Sequence, residues 1–101
     1  MPYTARFSKA FLKKEKQLPS EVKSRIVETL KETLMKPGNG TMLVGPLKGL
    51  WKVRVGKYRI IYEIDEQEKR VVFHDVALRK KELSGIRIVL RRGTLVGNLL
   101  S

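Results

Sequence analysis

Residues 51–62 leave this chain little choice of fold. Trp51-Lys52-Val53-Arg54-Val55 and Tyr58-Arg59-Ile60-Ile61-Tyr62 are β-prone runs separated only by Gly56-Lys57. A two-residue loop with glycine first suits a type II′ turn, whose twist matches that of its flanking strands. With Gly56-Lys57 as the loop, Val55 faces Tyr58, Val53 faces Ile60 and Arg54 faces Arg59. Trp51, Val53, Val55, Tyr58, Ile60 and Tyr62 then share one apolar face, and Lys52, Arg54 and Arg59 share the other. Like charges directly opposite each other destabilise a sheet by about 0.2–1 kcal/mol per pair. A chain selected for stability alone would more often place a carboxylate there. Two arginines make sense if something anionic sits on that face.

The segments before the hairpin have a helical period. Tyr3 to Phe7 alternates and reads as a first strand. Ser8 can cap a helix with apolar Phe11 and Leu12 and a wet side of Lys13, Lys14, Glu15, Lys16 and Gln17. Leu18-Pro19-Ser20 breaks it, and proline is tolerated in the first turn of the next helix. Val22, Ile26, Leu30 and Leu34 form that helix's stripe, widened by Val27. Glu21 and Glu28 are exposed, Glu21 near the favourable end of the helix dipole. Lys36-Pro37-Gly38-Asn39-Gly40 stops the helix. Gly45-Pro46 marks a turn or an irregular edge. Asp65-Glu66-Gln67-Glu68 connects the hairpin to a last strand over residues 69–78. The expected architecture is α+β: an N-terminal strand, then an antiparallel helix pair packed on an antiparallel β-meander whose basic side stays open.

Charge narrows the class of partner. The formal net charge is +12, and it is uneven: no acid falls between Glu32 and Glu63, or after Glu82. That pattern suits a polyanion or an acidic protein. A chain of 101 residues holds one small core, so a site is expected on an open surface rather than in a cofactor-sized cavity. Cysteine is absent and histidine occurs once, which excludes disulfides, thiolate chemistry and the usual zinc sites. No signal peptide or membrane span is visible. The expectation is a cytoplasmic protein with no membrane partner and no cofactor. Residues 84–101 alternate only partly; they read equally as an extra strand, a docking arm or a disordered end.

Leu47-Lys48-Gly49 followed by Trp51 to Glu63 resembles the signature of the RelE/ParE superfamily, the toxic halves of toxin–antitoxin pairs. Phe7-Ser8-Lys9, Leu18-Pro19-Ser20-Glu21-Val22 and Val76-Ala77-Leu78-Arg79-Lys80-Lys81 are also similar to that family. The likeness covers about residues 2–83, so a toxin domain over 1–83 and a tail over 84–101 are expected. For the RelE branch the resemblance implies a ribosome-dependent messenger-RNA endonuclease that works without a metal and is held inactive by an acidic, RelB-like antitoxin. It implies Lys52, Arg54, Arg59 and Arg79 as the site residues. Several members carry a tyrosine where this chain has Gly85. The ParE branch, with a similar hairpin, implies instead a gyrase inhibitor without nuclease activity.

The side-chain chemistry assigns roles within that set. RNA can be cut by its own 2′-hydroxyl, leaving a 2′,3′-cyclic phosphate, if the protein orients the attack, moves protons and stabilises the added charge. Arginine does not readily release a proton, so Arg54, Arg59 and Arg79 read as phosphate clamps. Lys52 is the member able to act as acid or base. Lys48, Lys57, Lys80 and Lys81 read either as contacts to RNA backbone or as ordinary surface lysines. His74 falls by alternation with Val72 and Val76 and reads as a packed residue. Asp75 reads as the ion-pair partner of a nearby arginine.

Overall fold

The computed structural model describes residues 3–78. The expectations placed on Arg79, Lys80, Lys81, Gly85 and the 84–101 tail lie outside the described residues.

The elements run β1 (Thr4–Phe7), α1 (Lys9–Lys16), α2 (Ser20–Met35), β2 (Thr41–Met42), β3 (Trp51–Val55), β4 (Tyr58–Asp65) and β5 (Arg70–Leu78). The strands form one sheet in the order β1-β5-β4-β3-β2. The β3–β4–β5 meander is antiparallel, as read from the sequence, and β1 adds parallel to β5, so the sheet is mixed. The two-residue β2 borders β3.

Ser8 starts α1 by accepting a hydrogen bond from the Phe11 amide at 3.0 Å, and its own hydroxyl donates to the His74 carbonyl at 2.7 Å. One side chain therefore caps a helix and ties it to β5, against which α1 packs. Proline occupies the N-cap position of α2, with no side-chain cap. Ile26 is fully buried, and Val22, Leu30 and Leu34 pack around the same core. Val27 departs from expectation and remains 43% exposed, so the buried stripe is the narrower row at four-residue spacing.

Phe11, Ile26, Val55, Ile60, Tyr62, Val71, Phe73 and Val76 make the core between helices and sheet. Tyr62 stacks near Trp51, and its hydroxyl donates to the Pro37 carbonyl at 2.6 Å. Gly40 is required beside that phenol: a Cβ there would collide with the Tyr62 hydroxyl and the Lys52 carbonyl. Burial pushes the Tyr62 phenol up to about 12, against a smaller opposing effect of its hydrogen bond with the Gly40 backbone.

The expectation of an open basic side needs correction. Residues directly paired across strands share a face, so Ile61, Glu63, Val72 and Asp75 lie on the side away from the main core, and all four are buried. Among the described residues, the exposed cations on that side are Arg54 at the hairpin end and Arg6 on the β1 edge, paired with Val72.

Candidate functional site

The hairpin closes as its sequence requires. Gly56 has φ +58°, and Lys69 is the only non-glycine residue with positive φ among those described. Positive φ at the first loop position alone defines a type II′ turn. Val55 pairs with Tyr58, Arg54 with Arg59 and Val53 with Ile60. In such a hairpin the closing pair carries the hydrogen bonds. Arg54 and Arg59 then form a non-hydrogen-bonded pair, with Cα atoms only about 4.5 Å apart.

The two arginines differ in setting. Arg54 is exposed and Arg59 half-buried. Arg59 Nε and Nη2 are enclosed and have no hydrogen-bond partner among the described residues. A guanidinium stays charged at any physiological pH, and a buried donor left unmade costs about 1–3 kcal/mol, more when charged. Across the sheet Arg59 faces Ala77, whose methyl group offers no acceptor. Lys52 lies two residues before Arg54 on the same face and is half-buried opposite Ile61. The structure thus gathers Lys52, Arg54 and Arg59 at one end of the sheet. Lys57 is exposed at the hairpin tip. Lys48 is exposed on the loop before β3, between the buried anchors Leu47 and Leu50, and so stands outside the hairpin.

Sequence reasoning misplaced His74. The β4–β5 register shifts between Ile61 and Tyr62, so that Ile61 pairs with Asp75 while Tyr62 pairs with Phe73. His74 is the extra residue of a β-bulge, and alternation breaks there. Val72 and Val76 consequently lie on opposite faces. His74 Nε2 sits 2.9 Å from Glu63 Oε1, both side chains nearly buried. Glu63 is four residues from Arg59, about 13 Å along the strand, so this pair does not share the arginine site. Asp75 accepts from Lys14 Nζ at 2.7 Å rather than from an arginine, and from the Val76 amide at 2.9 Å. At the far turn, a hydrogen bond from Tyr3 at 2.7 Å holds the Glu66 carboxyl below its usual range, and the same bond raises the Tyr3 phenol.

Arg25 was missed. It sits on α2 among wet positions, and its guanidinium lies against the hairpin loop: a Cβ on Gly56 would come within 3.1 Å of Nη1 and Nη2. Helical periodicity marks such a residue only as exposed; its contact with a loop thirty residues on has no local signal.

A family model described as the ParE toxin of type II toxin–antitoxin systems, parDE, matches residues 5–83. The toxin–antitoxin complex RelBE2 from Mycobacterium tuberculosis contains a chain 30% identical, with a TM-score of 0.74 over 80% of this chain and 95% of that one. The isolated E. coli RelE toxin is 21% identical, with a TM-score of 0.67 over 80% of this chain and 88% of that one. A YoeB/ParE toxin from Agrobacterium tumefaciens, 13% identical, has a TM-score of 0.67 over 75% of this chain and 98% of that one. The last two likenesses speak for the fold alone. No curated protein sequence matches this one.

Proposed function

The chain belongs to the ParE toxin family of type II toxin–antitoxin systems, within the RelE/ParE superfamily, and from that premise we propose that it is a ribosome-dependent messenger-RNA endonuclease. The observation that carries the reading is the unpaired arginine pair. Arg54 opposes Arg59 with no carboxylate between them, and two enclosed nitrogens of Arg59 lack a partner. A phosphodiester laid on this pair would supply the anion that neither strand does. Guanidinium groups bind phosphate in a fixed fork, which suits a group that must be held in line for attack.

In the reaction, the 2′-oxygen attacks the adjacent phosphorus and gives up its proton. The P–O5′ bond breaks, the 5′-oxygen takes a proton, and the products are a 2′,3′-cyclic phosphate and a 5′-hydroxyl. Arg54 and Arg59 stabilise the charge that builds on the non-bridging oxygens. Lys52, on the same face, is the nearby group able to exchange a proton with the reacting oxygens. Arg79 would complete the set as a further clamp. Lys48, Lys57, Lys80 and Lys81 would hold RNA backbone on either side.

An acidic antitoxin of RelB type is the proposed inhibitor. Toxin–antitoxin complexes from M. tuberculosis, Pyrococcus horikoshii and E. coli share this fold. A segment of opposite charge laid over the arginine pair would satisfy Arg59 in the resting complex.

The family model's ParE description favours a second reading, a gyrase inhibitor that cuts nothing. In vitro translation separates the two. The nuclease stops it and leaves truncated messages, and Arg59→Ala restores it. A gyrase inhibitor leaves translation running and blocks DNA supercoiling.

A further inference from the structure

On the helix side of the hairpin tip lies a cavity of about 340 Å³ lined by Val22, Arg25, Val55, Gly56, Lys57 and Tyr58. We propose that this cavity binds one nucleotide of a single-stranded RNA whose neighbouring phosphate lies on the Arg54–Arg59 pair. The proposal rests on the nuclease reading for its choice of strand. Its own support is the composition and position of the cavity.

Val22 and Val55 make an apolar floor, and the half-buried Tyr58 supplies an aromatic ring. Arg25, Lys57 and Tyr58 line the cavity, and no hydrogen bond or ion pair engages their side-chain polar groups among the described residues. An aromatic or apolar surface for the base, with cations for the phosphate, is how proteins hold single-stranded RNA. The volume is at the lower end for small-molecule pockets, about 300–1,000 Å³, which fits one nucleotide rather than a docked helix.

Position joins the cavity to the arginine pair. Tyr58 precedes Arg59 in the chain, and their side chains lie on opposite faces of β4. A strand crossing the tip passes from the arginines, over Gly56-Lys57, into the cavity. Gly56 keeps that route open, since any side chain there would press on Arg25.

Charge favours RNA over an acidic polypeptide as the occupant. None of the six lining residues is a carboxylate. The adjoining groove of about 520 Å³ shares Arg25, Val55 and Gly56 with the cavity, and its lining adds Arg54, Glu28 and Glu32. A nucleic acid carries one sign of charge, so a strand leaving Arg54 is directed toward the cavity rather than along Glu28 and Glu32. A polypeptide with both signs suits the groove better than the cavity.

The test uses the full chain and a short uridine-rich oligoribonucleotide, 2′-O-methylated throughout and carrying one 2-aminopurine. This probe cannot be cut, so its binding is independent of nuclease activity. On binding, 2-aminopurine fluorescence should fall severalfold, and Tyr58→Leu should abolish the quench. Arg25→Ala, an exposed change, should weaken binding about tenfold at low salt and reduce the salt slope by about one. If Tyr58→Leu does not fold, Arg25→Ala and Gly56→Asn carry the test; the latter displaces Arg25 with a residue that tolerates positive φ. An unchanged slope in Arg25→Ala overturns the proposal. So does an oligoglutamate peptide that shifts the Arg25 and Tyr58 resonances when the oligonucleotide does not. Quenching with intact cellular messages would defeat the nuclease reading and leave the nucleotide site standing. Arg59-dependent message cleavage without quenching would do the reverse.

Discussion

The two ends of β4 treat charge in opposite ways on the same face of the sheet. Beyond Ile61, Glu63 meets His74 and Asp75 meets Lys14, at 2.9 and 2.7 Å. At the hairpin, Arg59 meets Arg54, and two of its enclosed nitrogens find no hydrogen-bond partner among the described residues. The first end shows that this fold can bring partners to its buried charges. The missing partner at the second end is therefore a local property of the hairpin, and it supports the proposed seat for an outside anion.

That contrast can be broken from either end. The largest effect is expected from Arg59→Ala. Message cleavage should fall by 10²–10³, about 3–4 kcal/mol of transition-state stabilisation, while the melting temperature holds or rises. Glu63→Ala should behave inversely. It leaves His74 buried without its partner and should lower unfolding free energy by about 1–3 kcal/mol, measured by urea titration, without removing any phosphate contact.

Arg54→Glu sharpens the comparison by making the hairpin end resemble the other. An opposite-charge cross-strand pair in place of a like-charge pair should gain up to about 1 kcal/mol, a few degrees in melting temperature, while toxicity is lost. Equal stability with toxicity intact would mean that the opposed arginines are incidental.

A smaller effect concerns Tyr62, which belongs to the fold and not the site. Below pH 10 the phenol is protonated in both folded and unfolded chains. Between its ordinary value of 10.0 and about 12, the unfolded chain releases a proton that the folded chain retains, so stability falls as pH rises. Tyr62→Phe should flatten this part of the stability–pH curve.

The hairpin and its arginines were legible because they are local. Glycine fixed the turn, the turn fixed the register, and a period of two assigned the faces. The helix stripe of Val22, Ile26, Leu30 and Leu34 was legible for the same reason. The parallel pairing of β1 with β5 was not, because it joins residues more than sixty positions apart. The bulge at His74 carries no glycine or proline to announce it, and one extra residue was enough to put Val72 and Val76 on opposite faces. Burial on the second side did leave a trace. Ile60-Ile61-Tyr62 is a continuous apolar run, the pattern of a strand covered on both faces, and Ile61 is 1% exposed.

Mapping of messenger-RNA 5′ ends after a brief pulse of expression tests the central claim most directly. The account predicts new ends within open reading frames for the wild-type chain and none for folded Arg59→Ala. Intact messages under wild-type growth arrest, or an undiminished set of ends in Arg59→Ala, would contradict it.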